Sequence, residues 1–119
     1  MIAGWYDREA RGIHIFYAID IPDLLETLYH EIGHHVFWEV LTIDQRADWV
    51  MVVSPGEGSV SPYAERNARE DFAETYAWHM LDYTELASFE SKLGFMHEVV
   101  FRGFVPEIIP VFSDITLAG

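Results

Sequence analysis

The spacing of apolar residues predicts one long, buried helix over residues 22–41. Apolar side chains surround this helix instead of forming one stripe, which is typical of a helix in the middle of a domain. Pro22 suits the first helical position, and Asp23 and Glu26 fall in the first turn, where the helix dipole favours acidic groups. The apolar positions are Leu24, Leu25, Leu28, Ile32, Val36, Phe37, Val40 and Leu41.

The rest of the chain predicts an α+β domain in which short N-terminal strands precede a second main helix over residues 65–81. Residues 12–19 are rich in β-branched and aromatic side chains and predict a strand, after a shorter extended segment at Trp5 and Tyr6. Short helices are predicted within residues 42–53 and near 85–93. The Pro, Gly and Ser content of residues 54–59 predicts a loop. After Gly103, two prolines argue against one regular helix.

Composition indicates a single globular domain over residues 1–119, with 50% hydrophobic residues and no cysteine. The net charge of −13 disfavours nucleic acid and anionic membranes as partners, and favours metal cations or basic peptides. We find no apolar run of membrane-spanning length. The N-terminal segment carries charged residues where a signal peptide would need an apolar core. These features predict a cytoplasmic protein of a microbe, or one encoded by a phage or mobile element.

The sequence His30-Glu31-Ile32-Gly33-His34 places two histidines four residues apart, on one face of the predicted helix. This H-E-x-x-H spacing is a zinc metalloprotease signature, with the glutamate as general base. A catalytic zinc ion usually has three protein ligands and one open position. Without cysteine, the third ligand must be histidine, aspartate or glutamate. Polar side chains in so apolar a helix also need partners, which a bound metal would provide.

The second helix offers three acidic residues as the third ligand, Glu70, Asp71 and Glu74. Glu70 and Glu74 share a helix face with Ala73 and Ala77, and the two alanines would allow a close approach to the first helix. Asp71 lies about 100° away from that face. We therefore expect Glu70, in preference to Asp71, to complete the metal site.

Together with Tyr63 and the segment Glu70-Asp71-Phe72-Ala73-Glu74, the motif resembles the active site of gluzincin metallopeptidases. The resemblance is closest to the lethal-factor type, which includes the anthrax lethal factor catalytic domain and the Pro-Pro endopeptidases. It covers residues 27–41 and 61–81. In that group a tyrosine precedes the glutamate ligand by seven residues, and a second acidic residue follows the ligand by four.

The resemblance implies a minimal zincin-like domain that hydrolyses peptide bonds. It implies that His30, His34 and Glu70 bind Zn²⁺, and that Glu31 is the general base. Tyr63 would donate a hydrogen bond to the developing oxyanion, and Glu74 would support a zinc ligand. The strand over residues 12–19 would bind extended substrate. Only about twenty residues precede the first metal helix, so an edge strand could also mediate homo-oligomerisation.

The main expectation is a general metalloendopeptidase of peptide or protein substrates, with basic substrates favoured by the acidic charge. Two alternative functions remain beside it. One is a regulatory H-E-x-x-H protease that cleaves a single cognate protein, as repressor-cleaving proteases do. The other is a non-catalytic, zinc-stabilised binding domain, which would need a closed set of four ligands.

Several histidine, tryptophan and arginine residues outside the motif are expected to contribute to the structure and not to the metal site. We expect His35 and His79 to be packed or hydrogen-bonded, and Trp38, Trp49 and Trp78 to lie in the core. Arg66 and Arg69 are expected to form surface ion pairs of little energy.

Overall fold

The computed structural model describes residues 3–8, 12–17 and 21–102, with side chains described for residues 6, 8 and 24–102. The chain forms an antiparallel hairpin, in which β1 pairs with β2, followed by a succession of helices. The strands and α-helices are β1 (Ala3–Asp7), β2 (Gly12–Tyr17), α1 (Ile21–His35), α2 (Ile43–Asp48), α3 (Ser54–Gly56), α4 (Ala68–Asp82) and α5 (Glu90–Phe95). Between and after these elements lie π-helical turns at Val36–Val40, Trp49–Val53 and Met96–Val100, and 3-10 turns at Tyr63–Arg66 and Tyr83–Leu86.

The predicted α+β class is wrong, because the fold is helical. Residues 21–102 contain no strand. The β structure in the described chain is the N-terminal hairpin, which lies in the region where we predicted strands. Two short strands cannot form a stable sheet layer on their own. The buried apolar side chains of the described core come from helices and turns instead.

Aromatic side chains fill the centre of this helical core. Phe72 of α4 lies between Phe37 and Trp49, with both pairs of ring centroids 5.3 Å apart. Trp49 also contacts Phe95, at 5.2 Å between centroids, and its indole nitrogen donates to the backbone oxygen of Ala68, 2.8 Å away. Burial of such rings provides the main stabilising free energy, at roughly 25 cal/mol per Å² of apolar surface. The cluster thereby fixes α4 against the segments on both sides of it.

Helices α1 and α4 pack closely on each other at a glycine. A Cβ atom built on Gly33 would lie 2.9 Å from the Cα of Ala73 and 3.1 Å from the Cβ of Tyr76. The alanine-bearing face of α4 therefore does approach the first helix, as its spacing predicted. This contact sets the distance between the two helices that carry the candidate metal ligands.

The helix boundaries differ from the predictions at several points. The first helix continues through a π-helical turn to Val40, in agreement with the predicted range 22–41. The second main helix begins at Ala68 instead of residue 65, because the side chain of Asn67 accepts a hydrogen bond from the Glu70 backbone nitrogen and caps it. The predicted loop over 54–59 begins as the short helix α3. The helix predicted near 85–93 is divided into a 3-10 turn and α5.

A buried ion pair connects α4 to α5. The amine of Lys92 lies 2.9 Å from Oδ2 of Asp71 and also donates to the backbone oxygen of Gly58, and Ser54 donates to the same aspartate. Both members of the pair are at most 2% exposed. The Asp71 carboxylate is therefore engaged by Lys92 and Ser54 and not by the candidate metal ligands.

Within the described part of the chain, no helix combines the length and the apolar character needed to cross a membrane. The predicted tail after residue 103 lies outside the described residues, as do the side chains of most of the hairpin. The single-domain interpretation of residues 1–119 therefore stays a prediction.

Candidate metal centre

The two histidines of the motif turn their rings toward one point on α4. His30 and His34 have ring centroids 4.8 Å apart. Nε2 of His30 lies 3.0 Å from Oε1 of Glu70, and Nε2 of His34 lies 2.7 Å from the same oxygen. One turn of α1 and the first turn of α4 thus bring two imidazoles and a carboxylate together, as the spacing of Glu70 predicted.

Glu74 holds the far side of the His30 ring. Its Oε2 lies 2.7 Å from Nδ1 of His30, and both side chains are largely buried. Its other oxygen, Oε1, accepts a hydrogen bond of 2.7 Å from the hydroxyl of Ser61. Glu74 therefore orients the imidazole, which is the position that carboxylates commonly take behind metal-binding histidines.

Ser61 was not identified in the sequence. Its hydroxyl also accepts a hydrogen bond from the backbone nitrogen of Ala64, three residues later, and this contact begins the turn that carries Tyr63. A serine just before Pro62-Tyr63, at the start of a turn, was the available signal. The contact of Ser61 with Glu74 depends on the tertiary fold.

The contacts of His30 require positive charge in the site. A carboxylate can only accept hydrogen bonds, so contact with Glu70 and Glu74 requires that both ring nitrogens of His30 carry protons. Burial alone lowers the pKa of His30, but the hydrogen bonds and charges of these two glutamates outweigh it and raise the pKa to about 9. Burial raises the pKa of Glu70, but the hydrogen bonds and charges of His30 and His34 outweigh it and lower the pKa to about 2. A metal cation could take the place of the proton on Nε2 of His30.

Glu31 is buried beside the two imidazoles. It is 5% exposed, and its Oε2 is a buried oxygen with no hydrogen-bond partner among the described residues. Burial raises the pKa of Glu31, and the nearby His30 and His34 partly offset the rise. Leaving a buried carboxylate oxygen without a partner is costly, so a polar ligand or a metal ion at this oxygen would stabilise the site.

His30, Glu31 and His34 form a group whose ligating atoms lie within 4.8 Å of one another, and this group could hold a metal ion. Glu70 adds a carboxylate oxygen in contact with both imidazole nitrogens. A set of imidazole nitrogens and carboxylate oxygens is typical of zinc sites without cysteine. The residues present therefore fit a divalent metal ion.

Tyr63 lies at the open side of the site. Its ring packs edge-to-face on His30, with centroids 5.3 Å apart, and the residue is 44% exposed. Burial and the charge of Glu70 raise the pKa of its hydroxyl, against the opposite effect of Arg66. The phenol accordingly keeps its proton at neutral pH and can donate a hydrogen bond to a molecule in the cleft.

A cleft of about 260 Å³ opens over these residues. The hairpin contributes Tyr6 and Arg8 to its wall, and the helices contribute Trp38 and Arg69. These positions differ from the sequence-based interpretations. Trp38 is a half-buried wall residue and not part of the sealed core, unlike Trp49, which is fully buried as predicted.

Several residues outside the cleft match or modify their predicted structural roles. Nδ1 of His35 lies 3.0 Å from the Tyr6 hydroxyl, within hydrogen-bonding distance. His79 is 1% exposed and stacks on Phe101, with centroids 4.3 Å apart. Arg66 was predicted to form a surface ion pair. Its guanidinium instead lies over the Tyr63 ring, 4.7 Å from the centroid.

Comparison with known proteins adds no family to this description. No family model matches the chain, and neither curated proteins nor solved structures yield a match. The resemblance to lethal-factor-type gluzincins consequently rests on the motif residues alone.

Proposed function

We propose that the protein is a zinc-dependent metalloendopeptidase. The observation that carries the proposal is the convergence of Nε2 of His30 and Nε2 of His34 on one oxygen of Glu70, 3.0 and 2.7 Å away. These three residues would hold the ion. We prefer Glu70 to Glu31 as the ligand because its oxygen contacts both nitrogens. Glu31 then remains available as a base.

The bound zinc ion would act as a Lewis acid and lower the pKa of its water to about 7. Glu31 would accept a proton from the attacking water and deliver it to the amine released when the peptide C–N bond breaks. The ligating atoms of Glu31, His30 and His34 lie within 4.8 Å of one another, so the carboxylate would be close to a water molecule on the ion.

Tyr63 would stabilise the oxygen of the attacked carbonyl. Its protonated hydroxyl can donate a hydrogen bond as negative charge develops on that oxygen, which favours the transition state over the bound substrate. Glu74 would keep His30 in the orientation and protonation state that a metal ligand needs, through the 2.7 Å contact with Nδ1. A structural zinc site, which only stabilises the fold, would require neither a base such as Glu31 nor a hydrogen-bond donor such as Tyr63.

The test is digestion of a peptide library by zinc-loaded wild-type protein and by the Glu31→Gln variant, with the zinc content of both measured. We expect equal, stoichiometric zinc and cleavage by the wild type only. Equal cleavage by the variant would refute the role of Glu31. Equal zinc with no cleavage of any peptide by the wild type would contradict a general endopeptidase and favour the zinc-stabilised binding domain or a protease for one cognate protein.

A further inference from the structure

We propose that the substrate is a peptide with a large apolar side chain next to an acidic residue, and that the apolar side chain occupies a second cavity beside the cleft. This inference rests on the proposed peptidase function. The second cavity, called the side cavity below, has a volume of about 290 Å³. Its apolar walls are formed by Phe37, Trp38, Ala47, Val50 and Met51.

The side cavity lies next to the cleft over the candidate metal centre. Trp38 and Arg69 line both spaces, so they stand between them. Arg69 also precedes Glu70 in α4. An extended peptide bound across the metal centre could therefore place a neighbouring side chain in the side cavity.

The size and polarity of the side cavity fit one large apolar side chain. A dry cavity of about 150 Å³ is already sufficient for benzene, so the side cavity can accept leucine, methionine or phenylalanine. Val50 and Met51 are 43% and 75% exposed. Apolar side chains grouped in this way gain free energy when a ligand removes them from water. Methionine can also adapt its shape to different ligands.

Arginine residues give the rim a charge opposite to that of the whole protein. The chain has only 7 Lys and Arg residues and a net charge of −13, yet Arg8 and Arg69 line the cleft, and Arg46 and Arg69 line the side cavity. Charges act over about 8 Å at physiological salt, so these arginines influence a bound peptide more than distant carboxylates do. Glu70 and Glu74 already have partners in His30 and His34.

Of these arginines, Arg69 is best placed to bind an acidic side chain. Arg46 already donates to the backbone oxygens of Phe37, Trp38 and Leu41, and the Arg8 guanidinium lies 3.9 Å from the centre of the Trp38 ring. Arg69 is exposed, and no described carboxylate forms an ion pair with it. The local charge thus favours an acidic residue, where the net charge of the chain favoured basic substrates.

Peptide binding can be measured apart from hydrolysis in the zinc-loaded Glu31→Gln protein. The probes are fluorescein-labelled Gly/Ser decapeptides that contain Leu-Glu, Leu-Lys or Ala-Gln at the centre, and the readout is fluorescence anisotropy. We expect Leu-Glu to bind at least about tenfold more tightly than Ala-Gln, from burial of the leucine side chain. Equal affinities, no binding of any probe, or tightest binding of Leu-Lys would overturn the proposal.

Two variants assign the preference to the side cavity and its rim. Ala47→Phe fills the cavity and should abolish the preference for leucine, whereas Ala87→Phe adds the same ring at another exposed alanine and should preserve it. Arg69→Gln should remove a preference for glutamate of about two- to fivefold, which weakens with salt. Arg102→Gln is its charge-matched control. Identical behaviour of each variant and its control would refute the assignment.

Digestion of the same peptides by the wild type separates this inference from the function on which it rests. Selective binding without cleavage would contradict a general endopeptidase and leave the binding site established. Cleavage of all three peptides at equal rates would refute the selectivity and leave the peptidase established.

Discussion

Replacing Gly33 with alanine would place a methyl group where α1 and α4 touch. The added Cβ would lie 2.9 Å from the Cα of Ala73 and 3.1 Å from its backbone oxygen, whereas ordinary contact begins at 3.4 Å. Backbone atoms cannot turn aside as a flexible side chain can. The helices must therefore separate by about half an ångström, or their neighbours must shift by that distance.

The expected change in stability combines two opposing effects. Overpacking of a close contact costs about 1–3 kcal/mol, while alanine favours a helix over glycine by about 1 kcal/mol. We expect Gly33→Ala to lower the free energy of unfolding by about 1 kcal/mol. The same separation moves Glu70 away from His30 and His34, and we expect a loss of zinc affinity of about tenfold, similar to the loss of a group that orients a ligand.

Gly94 provides the matched control for this experiment. It also lies in a helix, α5, but a Cβ built on it has no neighbour within 4 Å. Gly94→Ala should raise the free energy of unfolding by about 0.5–1 kcal/mol. Urea unfolding of the metal-free proteins and competitive zinc titration measure both effects. A Gly33→Ala protein as stable as Gly94→Ala, with wild-type zinc affinity, would refute the close-contact argument.

Three further predictions concern the site and the core. Tyr63→Phe should lower kcat by about a hundredfold, the usual effect of losing one oxyanion donor, while zinc content stays unchanged. Glu74→Gln should weaken zinc binding by about tenfold, since an amide cannot hold Nδ1 of His30 as a carboxylate does. His79, with its pKa lowered by burial from 6.5 to about 4, should reduce stability as the pH falls from 6.5 to 4. The unfolded chain takes up a proton in that range and the folded protein does not, which gives a slope of up to about 1.4 kcal/mol per pH unit. Urea unfolding of His79→Leu across the same range should show a shallower slope.

Each of these predictions has a contrary outcome. Unchanged kcat in Tyr63→Phe would show that the phenol does not contact the reacting carbonyl. Wild-type zinc affinity in Glu74→Gln would show that the contact with His30 contributes only to packing. Identical pH dependence of the wild type and His79→Leu would mean that the buried imidazole takes up its proton as readily as an exposed one.

The core of the site could be predicted because it depends on short-range spacing. His30 and His34 are four residues apart and therefore lie on one face of α1. Glu70 and Glu74 have the same spacing and share one face of α4. The small residue Ala73 on that face predicted the close approach that Gly33 completes. Local pattern was sufficient here because each half of the site lies within two turns of a single helix.

Other features depend on contacts between distant segments and could not be predicted in this way. The β-branched and aromatic residues of the N-terminal segment suggested an α+β class. The number of strands that join a sheet, however, depends on the tertiary fold. The cleft wall combines Arg8 of the hairpin with Trp38 and Arg69 of the helical part. By contrast, Asn67 is a local signal: as a residue that favours the N-cap position, it indicates that α4 begins at Ala68.

Zinc-edge anomalous diffraction from crystals of the zinc-loaded protein tests the central claim most directly. We predict one strong peak in contact with Nε2 of His30, Nε2 of His34 and a carboxylate oxygen of Glu70, with a water molecule or a substrate group in the remaining position. A peak closed by four protein ligands, Glu31 among them, would contradict a catalytic centre. The absence of a peak between these residues would contradict the metal site itself.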